Sequence, residues 1–509
     1  MLTEPLEPTD DRADPQFKGA AGCSEWLKQF QLTNLQLAHG TLLTQVREFN
    51  RYPMHGLERL DTLERLRETI VHVQRDYAKK LISKPLPLND TELRVFVAIV
   101  QLWQTMVTGY QRCLQAYLAG DSQLAQQGAL LCQRCLSYSG QAIFEHLRTG
   151  YEFDANLWRQ LHKFYAFAEL RGLHLKEIPE SLNTPTNQPR CSCHAMYVKT
   201  LLSCYARPAE LNRSQLQLLD NWLAQWSSTV SLEHSYTASK GDAQPLALDM
   251  DSAHGLRPVT LVSHGSSMRY LATVPLSKLL RVKTILLQQG KTPLQLELGD
   301  HKRDDCIEFL TFLHQCWCEN RNSRSDERNP VSKHARLFRR PEDTLAQSSC
   351  KDQDVKGSTA ETWRVQNESM LGAQLACEDT PAERLSHNQL LALCFDDTGT
   401  LILGTTAWVN VMHGGQLRIG VRYLPGVASA VELHITDADM PLAGAPVHAF
   451  LLQGSPALKA PASLIIPRDW FKAGRIADMQ QQNGEKLHAK MGFSVERWID
   501  YERVSFTLD

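Results

Sequence analysis

The stretch NDTELRVFVAIVQLWQTMVTGYQRCLQAYLAG, residues 89–120, constrains the fold more than any other part of the chain. Phe96, Val100, Trp103, Val107, Tyr110, Leu114 and Tyr117 recur at alternating intervals of four and three. That period is one face of an α-helix. A helix with so long an apolar stripe has to bury it against other helices. Asn89 followed by Glu92 resembles a capping box at its start, and Gly120-Asp121 reads as its stop and the cap of the next helix. Upstream, Leu63, Leu66, Ile70, Val73 and Tyr77 keep the same spacing. Downstream, 121–149 and 153–171 continue it, the latter through Leu157, Leu161, Phe164 and Ala168. Starts recurring just over thirty residues apart, with short connections, suit an antiparallel bundle or a helical-hairpin solenoid equally. With shorter helices at 195–206 and 213–227, the spacing predicts a helical domain over 25–228. Residues 1–24 are polar and acidic and read as a disordered tail.

From 229 the texture changes. STVSLEH, PLALDMD and TPLQLEL read as short strands between and beside helices, giving a small α+β segment over 229–320. Residues 321–340 hold seven Lys/Arg against two Asp/Glu, and 321–361 together read as a basic, polar linker. Past 361 helical periodicity nearly vanishes. Short apolar runs separated by Gly, Asp and Asn predict a small antiparallel β-barrel over 362–440, with a β extension or second barrel over 441–509. The expected class is a multidomain α + β protein.

Several functions are disfavoured by composition. At 43% hydrophobic and 22% charged residues the chain is an ordinary globular one, and its net charge of −2 gives no global pull toward nucleic acid or membrane. The N-terminus lacks the apolar region of a signal peptide and no run reaches membrane-span length, so a cytoplasmic protein is expected. Its 13 cysteines have no framework spacing and read as free thiols, with no disulfide. Cys191, Cys193, His194 and Cys204 lack a second close ligand pair, so no metal is expected. Gly290-Lys291-Thr292 lacks the earlier glycine of a phosphate-binding loop, and Ser263-His264 are adjacent strand residues that point apart. No catalytic set emerges, and the chain is read as a non-enzyme.

One constellation remains. Arg336-x-x-x-Arg340, with Arg339 beside it, precedes Asn367-x-Ser369-x-x-Gly372, and RIGVRYL (418–424) follows. This resembles the PilZ domain, a bacterial β-barrel with the signature RxxxR followed by (D/N)xSxxG. The resemblance covers about 335–430. It implies cyclic di-GMP as ligand, bound by Arg336, Arg339, Arg340, Asn367, Ser369 and Gly372, without a cofactor. The chemistry suits those residues: arginine forks onto guanine O6/N7 or phosphate and stacks on purines, and Asn and Ser offer short polar groups to base edges. Arg321 and Arg324 lie outside the spacing and read as solvated linker charges. Glu368 and Pro341 depart from the expected pattern. The implied role is an effector coupling second-messenger level to an unknown protein partner through the helical region, in motility, pilus or biofilm control. The alternative is a scaffold whose barrel no longer binds nucleotide. A nucleic-acid-binding barrel with a basic arm is disfavoured by the lack of an exposed aromatic platform.

Overall fold

The computed structural model describes residues 6–180, 182, 190–236, 244–262, 265–319, 329–339, 360–378, 381, 383–395, 401–435, 446–481 and 484–508. The chain forms two compact units, residues 1–83 with 88–324, and residues 84–87 with 325–509.

The first unit is built on helices α1 (Ala20–Gln29), α2 (Leu35–Arg51), α3 (Gly56–Tyr77), α4 (Asp90–Leu118), α5 (Gly128–Thr149), α6 (Ala155–Leu170), α7 (Cys193–Tyr205) and α8 (Arg213–Trp226). The stripe on α4 is buried from Phe96 to Leu114, with α2, α3 and α5 packed around it. The Asn89/Glu92 capping box is present, and Asn212 with Gln215 forms another at α8. Gly120 ends α4 in the left-handed region at φ 91°. Asp121 caps only a single 3₁₀ turn, Ser122–Leu124, so α5 starts at Gly128, later than the periodicity predicts.

The expectation of a disordered tail over residues 1–24 does not hold for the described part. Asp10 N–H donates to Arg51 O at 2.8 Å. Ala13 and Phe17 are buried, with the Phe17 ring 5.1 Å from Trp26 and 5.4 Å from Phe49. A few apolar anchors outweigh the polar composition around them.

A buried ion network ties α3 to α5. Arg134 holds Glu64 through both oxygens at 2.9 Å, and Glu180 accepts from Arg67 at 2.6 Å and Arg134 at 2.8 Å. Glu180 directly follows the two-residue strand β1 (Ile178–Pro179), which pairs with β2 (Arg190–Cys191). The α+β segment has a sheet of β3 (Leu232–Glu233), β4 (Leu246–Asp249), β5 (Arg257–Pro258) and β6 (Met268–Leu271), ordered β3-β6-β4-β5, with helices α9 (Val274–Gln288) and α10 (Arg303–Trp317). TPLQLEL is not a strand. It folds as one 3₁₀ turn, Leu294–Leu296, between Pro293 and a left-handed Glu297.

The second unit holds two closed antiparallel barrels. The first comprises β7 (Asn329–Phe338), β8 (Glu361–Ser369), β9 (Gly372–Cys377), β10 (Leu390–Phe395), β11 (Leu401–Val411) and β12 (Leu417–Tyr423), ordered β10-β11-β12-β9-β8-β7. The second comprises β13 (Ala428–Ile435), β14 (Val447–Leu452), β15 (Ser463–Pro467), β16 (Ile476–Gln481), β17 (Lys486–Arg497) and β18 (Tyr501–Leu508), ordered β13-β14-β15-β18-β17-β16. Each sheet closes on itself, β7 pairing with β10 and β13 with β16. Alternate residues such as Trp363, Val365, Leu375, Leu393, Ile419 and Val421 are buried in the first barrel. Phe338, Leu390, Ala392, Cys394 and Leu403 pack against Phe450, Leu452, Ile465, Trp498 and Tyr501 of the second, so the barrels share a core.

Three expectations differ here. The segment read as linker through 361 contains β7, a full strand of the first barrel. The second barrel starts at Ala428 rather than 441. Cys394 is disulfide-bonded, whereas the sequence reading expected no disulfide. Among the described residues the other eleven cysteines are free thiols. Among the described residues no cluster of three or more His, Cys, Asp or Glu could hold a metal. Both ring nitrogens of His194 are engaged, with Tyr165 Oη at 3.1 Å and Val230 O at 2.7 Å. Among the described residues no helix is long and apolar enough to cross a membrane.

Candidate ligand-binding face of the first barrel

The residues singled out in the sequence separate into two groups. Arg336 lies within β7, in register with Thr362 on β8 and Cys394 on β10, and its guanidinium approaches Cys394 Sγ at 3.7 Å. Arg339, just past β7, is 5% exposed. It is ion-paired to Glu361 at 2.5 Å and donates to the Glu383 carbonyl. Glu361 also accepts from Trp363 Nε1 at 3.1 Å. Arg340 lies outside the described residues. Asn367, Ser369 and Gly372 sit at the other end of the same strands, where Asn367 is in register with Pro330. Five residues separate Thr362 from Asn367, roughly 16 Å along a strand. The structure therefore joins Asn367, Ser369 and Gly372 but does not bring Arg336 and Arg339 to them.

The turn is tightly built. Ser369 Oγ accepts from Leu371 N–H at 3.3 Å and donates to Gly372 O at 3.4 Å. A Cβ on Gly372 would stand 2.2 Å from the Val421 carbonyl oxygen, so this glycine is required by the close approach of β12. Asn367 Nδ2 donates to Gln374 Oε1 at 2.8 Å. A register shift between Val365 and Asn367 resets the alternation of β8, and Glu368 points to the opposite face from Asn367. Its carboxylate takes Lys333 Nζ at 2.7 Å and Tyr423 Oη at 2.9 Å, with Lys333 4.4 Å from the Phe395 ring centre. The negative charge that interrupts the motif is thus neutralised on the other side of the strand.

Register partners extend the Asn367 side across four strands. Asn367 faces Gln374, Gln374 faces Gly420, and Gly420 faces Trp408. On one flank Ser369, Gly372, Arg422 and Thr405 align, and on the other Arg364, Ala376, Arg418 and Asn410. With strands about 4.8 Å apart and rows about 7 Å apart, this outer face is roughly 14 Å in each direction. Its floor is small (Gly372, Ala376, Gly420). A Cβ on Gly420 would meet Trp408 Nε1 at 2.1 Å, so the indole lies across that glycine. Arg418 Nε is 3.2 Å from Gln416 Oε1, Arg364 Nε is 3.5 Å from Glu378, and Arg422 Nη2 is 3.3 Å from Glu496. Three arginines, three amides, two hydroxyls and an indole around a flat floor can stack a planar base, read its edge and neutralise phosphate.

Sequence reasoning missed Gln374, Trp408, Arg418 and Arg422. The signal for the arginines was present: in Arg418-Ile-Gly420-Val-Arg422 the period of two sends both arginines to the glycine's face. Trp408 was hidden by the bulge between Thr406 and Trp408, which shifts the alternation of β11.

Comparison with known proteins adds two matched stretches. Residues 21–238 match the family model described as "Cyclic-di-GMP receptor FimW, N-terminal domain", and residues 437–508 match the "FimW C-terminal beta-barrel domain". The first stretch covers α1 to α8 and the second covers β14 to β18; the first barrel lies between them. A curated relative, the cyclic-di-GMP receptor FimW of Pseudomonas aeruginosa, is 22% identical over 209 residues, which is 41% of this chain. The chain spans about a third of that protein's length, 34%.

Proposed function

We propose that this chain is a non-enzymatic cyclic di-GMP receptor that binds its ligand on the outer face of the first barrel. The observation that carries the reading is the aligned row Asn367, Gln374, Gly420 and Trp408, flanked by Arg364, Arg418 and Arg422. Trp408 offers an aromatic surface to a guanine, Asn367 and Ser369 offer polar groups to its edge, and the arginines offer donors to the two phosphates. The matches to FimW domains on both sides of this barrel support the same ligand. A PilZ-like identity for the barrel, a cytoplasmic location and coupling to a protein partner through the helical unit belong to the same proposal.

The register also favours a different arginine pair from the one first read. Asn329 and Pro330, at the start of β7, pair with Glu368 and Asn367. In sequence Asn329 is preceded by Arg324-Ser-Asp-Glu-Arg328, which has the Arg-x-x-x-Arg spacing too. We therefore propose Arg324 and Arg328, which lie outside the described residues, as the Arg-x-x-x-Arg pair in place of Arg336 and Arg340, beside Arg364, Arg418 and Arg422 on the face. Arg339 is a structural ion-pair partner. The test is a calorimetric titration of the full chain with cyclic di-GMP, GTP and single-stranded RNA. Saturable binding of the cyclic dinucleotide alone is expected. Equal binding of all three would mark a general polyanion surface, and no binding at tens of micromolar would leave a scaffold with a degenerate barrel.

A further inference from the structure

The second barrel reaches into this face through one residue. Arg422, in register with Gly372 beside Ser369, has its guanidinium 3.3 Å from Glu496 Oε1 on β17. β17 is irregular there, with register shifts between Met491 and Ser494 and between Ser494 and Glu496. Glu496 pairs in register with Arg503 on β18, whose Nε donates to Ser463 Oγ at 2.8 Å. Burial holds Arg503 below the usual arginine range, Glu496 draws it back up, and Arg422 pushes it down; the three charges share one small region. Glu496 Oε2 is buried and has no hydrogen-bond partner among the described residues. The Arg422 side chain is 53% exposed and that of Glu496 29%. Such a solvated pair is weak and can be exchanged, unlike the enclosed Arg339–Glu361 pair.

We infer that Glu496 is a built-in competitor for the binding face, occupying Arg422 until a ligand phosphate displaces it, so that the second barrel sets the ligand affinity of the first and registers its occupancy on β17. The inference rests on the proposed binding face. A phosphodiester presents the same kind of anionic oxygen as the carboxylate, and arginine takes either. Displacement leaves Glu496 beside Arg503 and frees the bulged part of β17. That stretch presents Phe493, 68% exposed, on a backbone clamped by Ser505, whose Oγ accepts from Phe493 N–H at 2.9 Å and donates to Phe493 O at 3.2 Å.

The experiment compares cyclic di-GMP affinity in the wild type, Glu496→Gln, Arg422→Ala and the double variant, with thermal unfolding as a check on folding. Glu496→Gln is expected to bind roughly fivefold more tightly, the equilibrium equivalent of losing an exposed ion pair. Arg422→Ala weakens binding, and adding Glu496→Gln to it changes nothing further. Hydrogen exchange from Gly492 to Arg497 rises when ligand is added to the wild type. If Glu496→Gln folds normally and binds no more tightly, this inference is wrong while the binding face stands. If the wild type does not bind at all, both fall.

Discussion

Arg339→Ala separates a structural arginine from a ligand-binding one. Arg339 is 5% exposed, and the Glu361 side chain it pairs with at 2.5 Å is 16% exposed. Removing one partner of a buried ion pair destabilises by about 3–5 kcal/mol, because the other charge stays desolvated. Glu361 keeps some contact with water and with Trp363 Nε1 at 3.1 Å, so the lower end, about 3 kcal/mol, is expected. Truncation also removes the guanidinium from the Glu383 carbonyl. The loss should be local to the ends of β7 and β8 and read out as faster hydrogen exchange in those strands of the full chain. Neutralising the partner as well, in Arg339→Ala with Glu361→Gln, should recover at least about 1 kcal/mol, since an amide tolerates burial better than an unpaired carboxylate. Affinity for cyclic di-GMP should stay within about twofold of wild type, since the lesion lies roughly 16 Å along the strands from Asn367. A structural role for Arg339 is ruled out if Arg339→Ala leaves exchange in β7 and β8 unchanged and abolishes ligand binding.

Three further outcomes are expected. Burial pushes His162 down to about 4 from its ordinary 6.5; the unfolded chain therefore takes up a proton between these values that the native state refuses, and stability falls by roughly 3 kcal/mol as pH drops from 6.5 toward 4. Melting followed by helical circular dichroism should show this slope, flatter in His162→Gln. Burial also raises the thiols of Cys132, to about 12, and of Cys135 and Cys193; mass mapping after iodoacetamide should find all three unmodified in the native protein and alkylated after denaturation. Gly420→Ala drives a methyl into the space of Trp408 Nε1; it should weaken cyclic di-GMP binding severalfold in calorimetry, by tilting the indole off the face, while the barrel still folds.

The helical unit was legible because its apolar stripes are long and its caps are local chemistry. The Asn89/Glu92 box and the buried run from Phe96 to Leu114 needed no knowledge of the fold. The docked N-terminal segment was not legible, since Ala13 and Phe17 are isolated anchors in a polar stretch. β7 was hidden for a related reason: Lys333, His334 and Arg336 give it a polar appearance, and only pairing with β8 and β10 makes it a strand. The proposed binding face shows the same limit. Arg-x-x-x-Arg spacing occurs at Arg324/Arg328 and at Arg336/Arg340, and spacing does not choose between them; the proposed choice of the first pair rests on the register of Pro330 with Asn367. Arg339 reads as a ligand arginine until Glu361, twenty-two residues on, is seen beside it.

Ranking cyclic di-GMP affinities of single-site variants in the full chain distinguishes an outer-face site from one at the far end of β7. Asn367→Ala, Trp408→Ala and Arg328→Ala should each weaken binding by about 1–3 kcal/mol, the range for a good base contact or a stacked base, with unchanged thermal unfolding. Arg336→Ala should bind like the wild type. The opposite ranking, with Arg336→Ala losing the ligand and Asn367→Ala and Trp408→Ala retaining it, would contradict the outer-face site and return the ligand to the far end of β7.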